Sequence, residues 1–418
     1  MAQAAAAPAV EWTPLPTPPP PVGIRLAGVE EAQVRVEKLV AGGEGLARLD
    51  GVPLFIPRSA PGDLLRVKIV ERRPDYGRAE IEEVLEPGPA RRPDPHPELS
   101  RTGACDLQHL KDDLQPGLKA AAVRETLERL GKIQLPEPVE IVTGEPWGYR
   151  LRTQLHTQVD PVTGGVKVGY FARGTNEEVV PLTSCAFLVP ALEEALAALP
   201  GLLVGGEPPW RIDLAAGDDG VTSAPLIPGL SPVGDVSVTV GEFTYTFDAR
   251  CFFQSHRGLL GKLIERTVGP WEGEQAFDLY GGVGLFGLPL ARRYGQVIAV
   301  ESDVNAARHA RNNARRNRLP NLEVVAQAVE SWIPRLADRA DRVVVDPPRG
   351  GLSMMMRRLL QERRPKRLTY VSCHPATLAR DLRSLSATYD IESVAFFDLF
   401  PQTGHMEVVM QLVAREGA

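Results

Sequence analysis

One cysteine, a few carboxylates and a run of glycines carry the chemistry this sequence offers. Cys373 stands in Tyr370-Val371-Ser372-Cys373-His374-Pro375, at the end of the apolar run LTYVSC, with a proline two residues on to hold the turn. A thiolate in such a place is a nucleophile, although a cysteine at a strand end is also an ordinary small hydrophobe. His374 either helps to ionise that thiol or is a solvent-facing neighbour. Glu407, in Thr403-Gly404-His405-Met406-Glu407, precedes the apolar strand VVMQLV. It can serve as a general base only if it faces the same crevice as Cys373. Asp346 opens the loop Asp346-Pro347-Pro348-Arg349-Gly350 after the run RVVVD, and two prolines there stop the strand and stiffen the loop. An ordinary turn begun by an aspartate has the same look.

The glycines follow Asp278 in Asp278-Leu279-Tyr280-Gly281-Gly282-Val283-Gly284-Leu285-Phe286-Gly287. They let the backbone turn sharply and approach a ligand. A second apolar run, VIAVE, ends in Glu301, a carboxylate able to accept both ribose hydroxyls of an adenosine. Gly282, Gly284 and Gly287 formally satisfy the dinucleotide pattern G-x-G-x-x-G. A dinucleotide, however, brings a pyrophosphate, which Asp278 beside the loop would repel. S-adenosylmethionine brings an ammonium, which Asp278 suits. A glycine-rich turn with no ligand is the third reading. Upstream, Cys251-Phe252-Phe253-Gln254 offers two rings to wall a flat ligand and an amide to hydrogen-bond it, or two core phenylalanines before a helix.

These groups need elements to position them. From about 251 the runs AFDLY, VIAVE, LEVVA, RVVVD and LTYVSC alternate with helical stretches, which implies βαβ units and a mostly parallel sheet. Ligands bind such sheets at the carboxyl ends of the strands, where the chemical residues fall. Before it, residues 89–250 read as a mixed α/β unit, with a helix at 117–131 that ends on Gly131, another at 190–199, and strands in VKVGYF and FTYTF. Residues 29–88 alternate short strands with turns at Gly42-Gly43 and Asp50-Gly51, and can close only as a small barrel. Its Arg58, Arg66, Lys68, Arg72, Arg73 and Arg78 are interspersed with Asp63, Glu71 and Asp75, so a basic RNA-binding face and a mixed surface stand about level. The Ala/Pro-rich residues 1–28 read as a disordered tail.

The 418 residues suffice for two or three domains, and no apolar run is long enough to cross a membrane. Four separated cysteines fit a reducing, cytoplasmic setting. The net charge of −6 leaves nucleic-acid binding to local faces. Two arginine-rich stretches, Arg308 to Arg318 and Arg357 to Arg367, either bind phosphates or are solvated helix faces.

Together FFQ at 252, DLYGGVGLFGLPLA at 278, VDPPRGG at 345, SCHP at 372 and TGHME at 403 resemble, in order, the motifs of the bacterial RNA 5-methyluridine methyltransferases. CDLQHL at 105 and GYRLRTQ at 148 are similar to the same family. The resemblance implies a Rossmann-like class I methyltransferase domain, a mixed α/β central domain and an N-terminal TRAM-type, OB-like barrel that binds RNA. It implies cofactor contacts at Gln254, Tyr280, Glu301 and Asp346, beside Asp278 and Gly282, with Cys373 as nucleophile and Glu407 as proton acceptor. The mechanism implied is attack of Cys373 on C6, methylation at C5, then loss of the C5 proton to Glu407. The barrel implies the branch acting on 23S ribosomal RNA, in the cytoplasm and as a monomer. Alternatives are the same reaction on tRNA, a non-catalytic RNA-binding protein with a methyltransferase fold, and a nicotinamide-dependent dehydrogenase. Many family members hold a [4Fe–4S] cluster on four cysteines. The corresponding positions here are His96, Thr102, Cys105 and Cys185, so no iron–sulfur cluster and no other metal is expected.

Overall fold

The computed structural model describes residues 24–25, 31–230 and 234–416. The tail expected over 1–28 lies outside the described residues except for Ile24–Arg25, a two-residue strand paired antiparallel with Ala32 and Gln33. The short strands that follow alternate inward and outward, with Ala32, Val34, Leu65, Val67 and Ile69 in their core. Glu31–Arg35 pairs at one side of the sheet and runs almost directly into Lys38–Leu39, which forms the opposite edge. One stretch of chain therefore reaches both sides of the sheet, with Ile24–Arg25 lying beyond Glu31–Arg35, and curls it into a barrel. Its tight turns use left-handed backbone at Gly42, Gly43, Asp50 and Gly51.

The next unit is a five-stranded antiparallel sheet, with 152–159 at its centre and the helix Pro190–Leu202 nearby. The helix Gln115–Gly131 ends where Lys132 turns left-handed, and it lies on the helix Pro375–Leu385: a Cβ on Gly131 would stand 3.3 Å from the Ala379 carbonyl.

The largest sheet carries the site. Five of its strands are consecutive in the chain and parallel: Gly273–Leu279, Tyr294–Glu301, Leu322–Ala326, Arg342–Val345 and Arg367–Ser372. Chain order reverses between Gly273–Leu279 and Arg342–Val345, which are neighbours. A crevice opens at such a switch point, outside the carboxyl ends of the strands. The strands are apolar on both faces, as helices cover both. One strand runs the other way from its neighbours: Glu407–Ala414 lies between Arg367–Ser372 and Tyr389–Phe397, antiparallel to both. Glu140–Val142, from the stretch read as the central unit, adds a parallel edge strand beyond Tyr389–Phe397.

The second arginine-rich stretch is largely neutralised locally. Arg357 pairs with Asp381, Arg358 with Glu362, Arg363 with Asp338, Lys366 with Asp341 and Arg367 with Glu392. Several barrel arginines are paired as well, Arg66 with Glu83 and Arg78 with Glu44 among them.

Candidate active site

An antiparallel strand brings its first residue, rather than its last, to the edge where parallel strands end. Ser372 pairs with Val408 in a register whose next step sets Cys373 across from Glu407. The sequence separates these two residues by more than thirty positions, and sheet order alone brings them together. Glu407 is buried and Cys373 half-buried. Burial pushes the Cys373 thiol up to about 11, with the Glu407 and Asp346 carboxylates adding to the rise and the Arg349 guanidinium opposing it. Glu407 is pushed well above the usual carboxylate range by burial and by Asp346, and Asp346 rises through its own burial. Three acids thus share one edge, and the site is poised to hold protons until a positive charge arrives.

The loops that aim them are tied down. Asp381, fully buried, accepts from the Leu352 N–H and the Tyr370 hydroxyl and pairs with Arg357, which anchors the loop after Asp346-Pro347-Pro348. His374 turns from the thiol: its Nδ1 accepts from the Thr377 N–H and caps the helix Pro375–Leu385. Before Glu407, the buried Lys119 offers its ammonium to Asp398 at 2.5 Å and to the carbonyls of Phe400, Thr403 and His405 at 3.1, 3.0 and 2.8 Å. The buried Gln115 adds a bond to the Gln402 side chain and accepts from the Gln402 N–H. The barrel completes this loop, since a Cβ on Gly404 would stand 2.1 Å from the Gly42 carbonyl oxygen. Sequence reading passed over Lys119 and Gln115, because a lysine and a glutamine in an amphipathic helix carry no mark of burial.

At the switch point, Asp278 is fully buried and neither carboxylate oxygen has a hydrogen-bond partner among the described residues. Burial, with help from Asp346, pushes it up to about 7, and the nearby Gly287 N–H opposes the rise without a well-formed hydrogen bond. Gly281 and Gly287 crowd it, a Cβ at either coming within 3.1 and 3.0 Å of Oδ2. Gly282 adopts a left-handed φ of 55° and faces open space. The Glu301 carboxylate accepts from the N–H groups of Gly282 at 2.9 Å and Asp303 at 2.7 Å, which ties the glycine loop to the next helix. The Ser302 hydroxyl also donates to Oε1 at 3.3 Å, which leaves Oε2 with lone-pair capacity for a further donor. Tyr280 is left-handed too, and its hydroxyl donates to Glu330 at 2.8 Å, which leaves the ring to make any contact. Gln254 is buried with its Oε1 unpartnered. The phenylalanine pair divides: Phe253 stacks on Phe247 in the core at 4.4 Å, while Phe252 is exposed.

Buried orphan acceptors are costly unless a ligand donor reaches them. Asp278 and Gln254 are acceptors only at those atoms, Glu301 stands within the same loop system, and Gly282 leaves room. That acceptor set, with Asp278 ionised, fits S-adenosylmethionine, whose ammonium and two ribose hydroxyls are donors. The expected cluster positions do not fit an iron–sulfur group. The Thr102 hydroxyl donates to the Leu99 carbonyl, His96 packs against Trp147, and burial pushes the Cys105 thiol up to about 12 and that of Cys185 up as well. Two protonated, core-packed thiols are no four-thiolate cage.

Among the described residues no helix is long and apolar enough to cross a membrane. Residues 233–415 match the family described as tRNA (Uracil-5-)-methyltransferase, and residues 28–81 match the TRAM domain. The 23S rRNA (uracil(1939)-C(5))-methyltransferase RlmD of Enterobacter sp. (strain 638) is 31% identical over 88% of this chain and 94% of its own length. An uncharacterized RNA methyltransferase of Aquifex aeolicus is 30% identical over 92% and 99%. The fold matches the crystal structure of the Pyrococcus abyssi tRNA (uracil-54, C5)-methyltransferase in complex with S-adenosyl-L-homocysteine, with a TM-score of 0.70 and 25% identity over 91% of this chain and 100% of that one. The chain belongs to the RNA (uracil-5-)-methyltransferases, enzymes that use S-adenosylmethionine.

Proposed function

We propose that this enzyme methylates C5 of a uridine in 23S ribosomal RNA through a covalent bond between Cys373 and C6. The observation that carries the mechanism is the register that sets Cys373 across from Glu407 at the edge that also holds Asp346. C5 of uracil is a weak nucleophile. The Cys373 thiolate adds to C6, the C5–C6 electron pair becomes an enolate, and C5 can then attack an electrophile. Bound S-adenosylmethionine supplies the methyl group and a positive charge that favours the ionised forms of the three acids. Glu407, as carboxylate, takes the C5 proton; the S–C6 bond then breaks, restoring the double bond and the thiolate. Asp278 and Gln254 hold the amino-acid end of the cofactor, Glu301 the ribose, and Gly282, Tyr280 and Asp346 line the remainder. The base leaves its stack to reach this edge.

The rRNA target rests on the full-length likeness to the RlmD relative and on the TRAM module. The barrel at 29–88 acts as an RNA-binding unit, the stretch 89–250 as a connecting domain and 251–418 as the catalytic domain of a cytoplasmic monomer. The test uses Glu407→Gln, which should methylate once and stall with the base still bonded to Cys373. The adduct should survive denaturing electrophoresis and carry methyl label, and Cys373→Ala should abolish it. Cys373→Ala turning over at the normal rate would refute the covalent route. Mapping 5-methyluridine in total RNA with and without the protein decides between rRNA and tRNA.

A further inference from the structure

We infer that Trp210 and the cleft beside it form a stacking site for a nucleotide of the substrate RNA outside the target uridine. This deepens the proposed function and rests on RNA being the substrate. Trp210 is 69% exposed, which is unusual for the largest apolar side chain. Its ring is not loose. His156 backs it at 5.7 Å, and Phe171 stacks behind His156 at 3.8 Å. Three aromatic layers thus end in an indole that presents a face to solvent, on the first residue before the strand Arg211–Gly217. An indole braced from behind loses little freedom when a base covers it.

The indole lines a cleft of about 590 Å³ with Pro225, Leu226, Arg250 and Arg308. That volume suits a nucleotide-sized ligand. Leu226 is 62% exposed and, with Pro225 and the indole, gives the cleft apolar surface that a base could cover. Arg250 and Arg308 are half or more exposed, and both reach toward Asp248. Asp248 itself is held by the Asn305 amide at 2.6 Å. The same amide contacts the Cys251 sulfur at 3.3 Å, three residues before Gln254. The cleft is thereby continuous with the segment that carries Gln254 and with the helix that begins just after Glu301. Three arginines are offset by Asp213, Asp235 and Asp248 along its wall. Affinity here comes from the ring, with Arg250 and Arg308 keeping spare N–H donors for a backbone phosphate. A nucleic acid with unstacked bases fits this chemistry, since every base has a face to offer and stacking tolerates sequence.

The test titrates the full-length protein with a mixed-sequence single-stranded RNA of about 12 nucleotides, within the span such grooves cover. Tryptophan fluorescence should be quenched. Trp210→Ala should remove most of the quench and weaken binding about 10-fold, within the range seen when stacking aromatics are truncated. Trp210→Phe should retain most of the affinity while losing the quench. Arg250→Ala and Arg308→Ala should each lower the salt slope of binding by about one, whereas Trp210→Ala leaves the slope unchanged. S-adenosylmethionine affinity should be the same in all four. Unchanged RNA affinity in Trp210→Ala would overturn the inference, as would a Trp210→Phe variant as weak as the alanine. Adduct formation by Glu407→Gln is read separately. An adduct with a silent Trp210→Ala rejects this site alone, and a Trp210-dependent affinity without an adduct rejects the covalent mechanism alone.

Discussion

Cofactor binding should expel a proton from Asp278, and calorimetry can count it. In the free protein this carboxylate is buried without a hydrogen bond and is pushed up to about 7. At pH 6 it therefore carries about 0.9 of a proton. An ammonium docked against it returns the group to the ordinary range or below, so binding at pH 6 should release about 0.9 proton from this residue. Apparent affinity should then fall about fivefold between pH 7 and pH 6, roughly 1 kcal/mol. The assay is titration with S-adenosylmethionine at pH 6 in two buffers of different ionisation enthalpy, on wild type and on Asp278→Asn. The difference isolates Asp278 from Asp346, which is also raised by burial. The same shift has a sign in folding. A carboxyl raised from its usual value stabilises fully below about pH 4, and that stability is lost as pH rises through about 7. The free wild type should thus be weaker than Asp278→Asn at pH 8 by up to about 4 kcal/mol relative to their difference at pH 4. If Asp278→Asn releases as many protons as the wild type, Asp278 does not meet the ammonium.

Two further substitutions probe the loop before Glu407. Lys119→Met leaves Asp398 buried and unpaired and should cost about 3–5 kcal/mol, read by denaturant unfolding. Lys119→Met with Asp398→Leu should recover much of that stability while turnover stays low, because the carbonyls of Phe400, Thr403 and His405 have still lost their donor. Full recovery of turnover would show that Lys119 has no part in placing Glu407. Gly404→Ala drives a methyl into the Gly42 carbonyl. It should lower kcat at least about 10-fold, as a misplaced general base does, with S-adenosylmethionine affinity intact. Normal kcat would mean that the barrel can move away without cost to the site.

The parallel strands were legible because each is a short run rich in buried apolar residues, with a polar residue at or just beyond its carboxyl end. Asp278, Glu301, Asp346 and Cys373 could be placed on one edge from that pattern alone. The pattern says nothing about the order of antiparallel strands. Nothing in VVMQLV shows that it lies between LTYVSC and the strand Tyr389–Phe397. Equally, no local feature of Glu140–Val142 separates it from the central unit, since its pairing with Tyr389–Phe397 is decided more than two hundred residues away. The second arginine run stayed ambiguous for a related reason. Charge is visible in a sequence and its neutralisation is not: Arg367 both pairs with Glu392 and stacks on Trp271 at 4.1 Å, and Arg342, the opening residue of RVVVD, is fully buried against the same ring at 4.3 Å.

The residues proposed to react or to hold the cofactor therefore differ in kind from those that position them. Cys373, Glu407 and Asp278 sit in short motifs because each needs a specific local backbone: a strand end, a strand start, a glycine turn. Lys119 needs only a helix and a partner loop, and its partner lies about 280 positions away in Asp398 and the 400–405 turn. A motif search finds the first kind and passes over the second. Yet the turn that leads into Glu407 is held by the second, because Lys119 donates to the Thr403 and His405 carbonyls just before the strand Glu407–Ala414. The barrel enters through the same turn, at Gly42 against Gly404. An element far from every cofactor motif in sequence thus abuts the segment that aims the base. If the barrel holds RNA as proposed, it can bear on that segment directly, so its share in affinity and its share in turnover should be measured separately.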